Sequence, residues 1–193
     1  MKVCVLSSGS KGNSTLVITD KVKILIDLGT TTSYVEAALN NLNVDVKEIS
    51  HILITHSHAD HIKGLKVFIK RYNPVILVTE DMKNVLEKEL GNFRYEYYED
   101  KKAIIGDLTV NVIKTSHDAE ESIGFVLTNN NSSMVYITDT GYINQKYFKI
   151  LSNNNLYVLE MKMYLPLIFN PKSFNTAHYI IGWLIHKDFL IYC

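Results

Sequence analysis

The segment Ile52-Leu53-Ile54-Thr55-His56-Ser57-His58-Ala59-Asp60-His61 constrains this chain more than any other stretch. Ile52 to Ile54 are aliphatic and too few for a helix, so they predict a buried strand that ends where the polar residues begin. A strand end is rigid, and side chains just beyond it are held in place. If the backbone stays extended, His56 and His58 face the same side, because strand side chains repeat every two residues. Asp60 and His61 add a carboxylate and another imidazole. Donors of these types suit zinc, manganese or iron at neutral pH, with no thiolate required. One local motif cannot surround a cation, so a second segment has to complete the site.

With 193 residues, 47% of them apolar, the chain is long enough to bury a substantial core as one domain over 1–193. Twenty basic residues balance twenty acidic ones. No global positive field therefore draws the protein to nucleic acid, and a polyanion would be gripped by metals, nearby Lys and backbone N–H groups. Cys4 and Cys193 are the only cysteines, which excludes a disulfide framework and a Cys-type zinc site. The apolar run at Val3–Leu6 is too short for a signal peptide, and no run of eighteen apolar residues spans a membrane. The expectation is a cytoplasmic protein without a membrane partner.

Alternation and turn residues place strands at Val3–Leu6, Thr15–Thr19 and Ile24–Asp27, with Ser7-Ser8-Gly9-Ser10-Lys11-Gly12-Asn13-Ser14 as a loop between the first two. That loop, Ser10 to Asn13 above all, offers backbone N–H groups to an anion or forms a tight turn. It is not a P-loop, since Gly-Lys-Ser/Thr is missing and a strand follows it. Asp27 at its strand end either caps a loop or orients a metal-ligating His from behind. Ser33 and Glu36 have capping-box spacing for a first helix running to about Leu42.

A helix over Ile62–Tyr72 follows, then a strand at Val75–Val78 and a helix opened by Thr79-Glu80-Asp81. Tyr95-Glu96-Tyr97-Tyr98 suits either a base-stacking stripe or a packed strand, the packed strand being the simpler account. A hairpin turning at Gly106-Asp107 delivers His117. Strands at Ile123–Thr128 and Met134–Thr138 lead to Asp139, and a helix near Gln145–Leu151 and a strand at Leu156–Leu159 come after it. His56, His117 and Asp139 are thus each expected just past a strand, where sheets present functional loops.

Asp27, His56-x-His58-x-Asp60-His61, His117 and Asp139, in this order, resemble the metallo-β-lactamase superfamily. The opening Ser-Ser-Gly-Ser-Lys-Gly-Asn-Ser is similar to that of its bacterial YycJ/WalJ-type branch, which is related to RNase Z-like phosphodiesterases and described as DNA exonuclease-like. The resemblance covers residues 1 to about 160 and implies an α/β fold, an αββα sandwich with a two-metal site at one edge. It implies that His56, His58 and His117 hold one divalent ion (Zn or Mn, with Fe as an option), that Asp60 and His61 hold a second, and that Asp139 bridges them. Such a pair holds a bridging hydroxide as nucleophile and clamps a phosphodiester, with Asp60 orienting the hydroxide or taking its proton. Nucleic acid or a small phosphodiester is the implied substrate.

After Glu160 the sequence departs from the family. Relatives of this type continue with Asn-His-Asp or similar and a final His, whereas Met161-Lys162-Met163-Tyr164 leads here into a Tyr/Ile/Phe-rich tail. A frameshift or truncation near Glu160, with the C-terminal part of the fold and the last ligand missing, is the expectation. A genuine alternative ending with His178 as the last ligand is the other reading, and His186 is the remaining histidine of the tail. Within the same fold a thioesterase of the glyoxalase II kind or a lactonase uses the same ligand order. A catalytically impaired, non-enzymatic remnant is the reading from a different class.

Overall fold

The computed structural model describes residues 1–117, 119, 121–130, 132–161 and 178–181, with backbone alone at 160, 161 and 178–181. The first half of the chain builds a six-stranded sheet in sequence order: β1 (Lys2–Ser7), β2 (Ser14–Ile18), β3 (Lys23–Ile26), β4 (Ile49–Leu53), β5 (Val75–Val78) and β6 (Tyr95–Tyr97). The first three strands run antiparallel, and β3 to β6 run parallel. Parallel neighbours need crossovers, which α1 (Thr32–Asn41), α3 (Leu65–Tyr72) and α4 (Glu80–Leu90) supply; the short α2 (Ala59–Ile62) precedes α3.

The second sheet comprises β7 (Lys102–Ile105), β8 (Leu108–Ser116), β9 (Ile123–Thr128), β10 (Ser133–Thr140), β11 (Tyr142–Ile143), β12 (Leu156–Met161) and β13 (His178–Ile181). Its order is β11-β8-β9-β10-β12-β13, with β7 also on β8. Alternation divides its two faces. Val110, Phe125, Leu127, Met134, Tyr136, Leu156 and Val158 join the core of the first sheet, while Ile113, Val126, Val135, Ile137, Tyr157 and Leu159 form a second cluster with Ile143 and Leu151. Leu151 belongs to α5 (Phe148–Leu151), so a helix covers that outer face. Helices outside two packed sheets make the expected αββα sandwich.

Several local expectations shift. The N-cap of α1 is Thr31, whose side chain accepts from the Tyr34 N–H, and Ser33 is not the cap. Glu36 is drawn instead to Arg71 and the Tyr72 hydroxyl on α3, 2.7 and 2.5 Å away. The helix expected over Ile62–Tyr72 is broken into α2 and α3 at Lys63-Gly64. A Cβ on Gly64 would fall 2.3 Å from both Leu28 Cδ2 and Thr30 O, so the break fits the helix against the β3–α1 loop. β6 is a strand but not a packed one: Tyr95 and Tyr97 are exposed at the sheet edge. No helix among the described residues is long and apolar enough to cross a membrane.

Candidate metal centre

Three loops at one end of the first sheet lock together through their backbones. Asn13 N–H donates to Asp60 O (2.7 Å), Gly29 N–H to Asn13 O (2.8 Å), and Leu28 N–H to His61 O (2.8 Å). Gly29 permits this approach, because a Cβ there would lie 1.6 Å from the Asp60 carbonyl oxygen. The lock holds β2's leading loop and the turn after β3 against α2, and α2 carries His61.

His56 lies beyond the end of β4, His58 is the N-cap position of α2, and His117 follows β8 from the other sheet. Their rings meet edge to face with centroids 4.6, 4.8 and 4.9 Å apart. A second group joins His56 to His61 and Asp139, and in each group the donor atoms lie within 4.8 Å of one another. His56 is common to both. Asp60 belongs to neither group, although its Oδ2 stands 3.8 Å from His61 Nε2.

Asp139 is not beyond a strand, as the sequence predicts, but inside β10. It sits at a register shift between the Ile137–Leu159 and Thr140–Met161 pairs with φ +49°, a left-handed conformation uncommon for a side chain larger than glycine. The bulge brings its Oδ2 to 3.0 Å from His61 Nε2, yet no partner is aligned with that oxygen as a hydrogen bond. His56 Nε2 is likewise buried without a partner. Buried polar atoms without partners are costly, and a cation between these donors would satisfy both. The donor set therefore fits divalent metal ions.

Behind the site, Asp27 is fully buried with φ +59°. Its Oδ1 accepts from Thr55 N–H (2.8 Å), and its Oδ2 accepts from the Thr55 hydroxyl and from His61 Nδ1, both at 2.8 Å. With Nδ1–H donated to Asp27, Nε2, the atom beside Asp139, is the nitrogen that can bind a cation once its own proton is lost. Burial disfavours the His61 cation, but the combined pull of Asp27, Asp139 and Asp60 outweighs it and lifts the ring to about 10. Burial and the neighbouring His61 push His56 the other way, down to about 4. The His61 ring 3.0 Å away holds the Asp139 carboxyl below the usual carboxylate range.

The opening loop divides. Ser10 and Lys11 are exposed, whereas Gly12 and Asn13 are buried. Asn13 Oδ1 accepts from Gly9 N–H (2.9 Å), which turns the amide NH2 toward His61 Nε2 at 3.0 Å. Thr55 escaped the sequence reading altogether; only its place between the strand and His56 hinted at it. His178 pairs with Leu156 at the start of β13, and Leu156 pairs with Met134. Asp139 is five residues further along β10, on the order of 15 Å away at strand rise, so His178 is not brought to the site. His186 lies outside the described residues.

Residues 8–167 match the family model for the metallo-beta-lactamase superfamily. The chain is 34% identical over 160 residues to exodeoxyribonuclease YycJ of Bacillus anthracis, covering 81% of this chain and 61% of that protein. It is 31% identical over 165 residues to exodeoxyribonuclease WalJ of Streptococcus pneumoniae, covering 82% and 61%. It thus spans about three fifths of the length of these curated relatives. Among solved structures, the metallo-beta-lactamase fold protein YhfI from Bacillus subtilis superposes with a TM-score of 0.69 at 16% identity, covering 85% of this chain and 72% of that one. The chain belongs to the metallo-β-lactamase superfamily.

Proposed function

We propose that this superfamily hydrolase cleaves phosphodiester bonds at nucleic-acid ends, with two divalent ions held by His56, His58, His117 and by Asp60, His61, Asp139. The observation that carries the reading is the pair of donor groups sharing His56, with His56 Nε2 and Asp139 Oδ2 buried and unpartnered. The exodeoxyribonuclease relatives supply the substrate class. Divalent ions bound there contribute Lewis acidity and bring the pKa of coordinated water toward neutrality.

The chain's own residues do the rest. Asp27 fixes the His61 tautomer from behind, so that Nε2 is a lone-pair donor. Asp60, with a third of its side chain exposed, accepts the proton of the attacking water. Asn13 directs an N–H into the same space and orients a substrate or water oxygen. Zinc and manganese both suit the imidazole and carboxylate donors.

End-labelled single- and double-stranded DNA, incubated with protein loaded with Mn2+ or Zn2+, tests the reading. Release of mononucleotides by wild type and its loss in His58→Ala is the expected result. Hydrolysis of a thioester or lactone with DNA untouched would overturn it in favour of another chemistry on the same fold.

A further inference from the structure

Tyr142 follows the Asp139 bulge by three residues and forms the first position of β11, paired with Ser116 of β8. His117 is the next residue after Ser116, so the Tyr142 backbone stands one strand spacing, about 5 Å, from the segment carrying a candidate ligand. The face it occupies follows from register. Ile143 and its neighbours Ile113 and Val126 pack on the outer side of the second sheet, while Val110 and Val112 pack between the sheets. Paired residues share a face and successive residues alternate, so Tyr142 and Ser116 lie on the inner side. The histidine cluster lies past this end of β8, where His117 follows Ser116 and its ring meets His56 and His58.

The backbone of Tyr142 is held firmly while its side chain is not. Gly141 N–H donates to Ser116 O at 3.0 Å, and the Thr140 hydroxyl donates to Tyr142 O at 2.9 Å. The residue is 53% exposed, and no hydrogen bond or ring contact engages its side chain among the described residues. Other tyrosines are tied down: Tyr157 donates to Leu151 O, Tyr34 to Leu6 O, and the Tyr147 hydroxyl accepts from Lys114 N–H. A large aromatic ring left in water on a rigid strand, beside a phosphodiesterase site, is the arrangement that stacks a base. Exposed Lys114, whose ammonium stands 3.7 Å from the Glu121 carboxylate, lies on the same strand face two residues before Ser116.

We infer that Tyr142 stacks against the base of the terminal nucleotide of a single-stranded nucleic acid entering the metal centre. The inference rests on the phosphodiesterase reading and narrows it, since a small phosphodiester without a base gains nothing from such a ring. The strand end is held by its base, and the linkage next to it reaches the metal ligands.

The test uses single-stranded oligonucleotides with 2-aminopurine at the 5′ or the 3′ terminus and a phosphorothioate at the adjacent linkage, mixed with metal-loaded protein. Wild type and Tyr142→Phe should quench the terminal fluorophore at one of the two ends, and Tyr142→Ala should not. In cleavage assays Tyr142→Ala should raise KM roughly 5- to 100-fold for ends bearing a base, the range one base–aromatic stack supplies, and leave abasic ends unchanged. Equal quenching by Tyr142→Ala, or an equal loss on based and abasic ends, overturns the inference. Tyr142-dependent quenching without cleavage by wild type overturns the phosphodiesterase reading alone. No binding of either oligonucleotide by wild type overturns both.

Discussion

His61 Nδ1 lies 2.8 Å from Asp27 Oδ2, with both side chains fully buried. The contact joins the end of β3 to α2 and leaves His61 Nε2 facing Asp139. Asp27→Asn keeps the shape but replaces the carboxylate acceptor with an amide that offers one oxygen for three donors. Metal affinity at the His61 position should fall about 10- to 100-fold, the usual effect of removing the group behind a ligating imidazole. Competition with a chromophoric chelator measures it. Unchanged affinity would mean that Asp27 serves only the Thr55 loop.

The same pair should make metal uptake depend on pH. In the metal-free fold His61 is raised to about 10, so it is protonated at pH 7–8, while His56 at about 4 is neutral. Raised above its unfolded value near 6.5, His61 contributes stability that is fully present below about pH 6.5 and is lost as pH climbs through about 10. Nε2 cannot hold a proton and a cation together. Metal addition at pH 7–8 in weak buffer should therefore release about one proton from His61 and none from His56. A pH-indicator titration reads this directly, and Asp27→Asn should reduce the release. Uptake without proton release contradicts the assignment of Nε2 as a ligand atom.

Metal should also stabilise the fold. Ions that bind only the native state add RT ln(1 + [L]/Kd), about 4 kcal/mol at a thousandfold excess over Kd. Chelator treatment followed by thermal unfolding should lower Tm, and readdition of Mn2+ or Zn2+ should restore it. His56→Ala should abolish most of this response because His56 belongs to both donor groups. A full response in that variant would place the metal elsewhere.

The strands and the His/Asp motif were legible because their signals are local: apolar runs ended by polar residues, and ligands two and three positions apart. What escaped was set by contacts distant in sequence. The cap of α1 moved to Thr31 while Glu36 was taken up by α3, 35 residues away. Asp139 looked like a loop residue, since nothing local announces that β10 continues through a left-handed bulge paired with β12. Asn13 meets His61 across 48 positions, and Gly29's role is visible only once Asp60 lies against it. The resemblance supplied the ligand order, but the division of the Ser10–Asn13 loop into an exposed and a buried half had to come from packing.

Gly29 offers the sharpest test of that packing. Its φ needs no glycine, so backbone freedom is not the reason for the residue; the reason is the 1.6 Å separation between an added methyl and Asp60 O, with Asn13 N at 2.7 Å. Neither neighbour is a flexible side chain end. Both are backbone atoms joined by the 2.7 Å hydrogen bond that fixes the opening loop on α2. Gly29→Ala must push the loops apart, breaking this bond and moving His61 relative to His56. The expected cost is about 3 kcal/mol, the upper end for overpacking, together with loss of metal binding. Denaturant unfolding and metal titration on the same variant check both. Gly91→Ala is the control, because Gly91 ends α4 with nothing within 4 Å of its added methyl. At φ +80° that substitution carries backbone strain alone and should leave metal affinity intact. Equal behaviour of the two variants would show that the three-loop lock does not position the site.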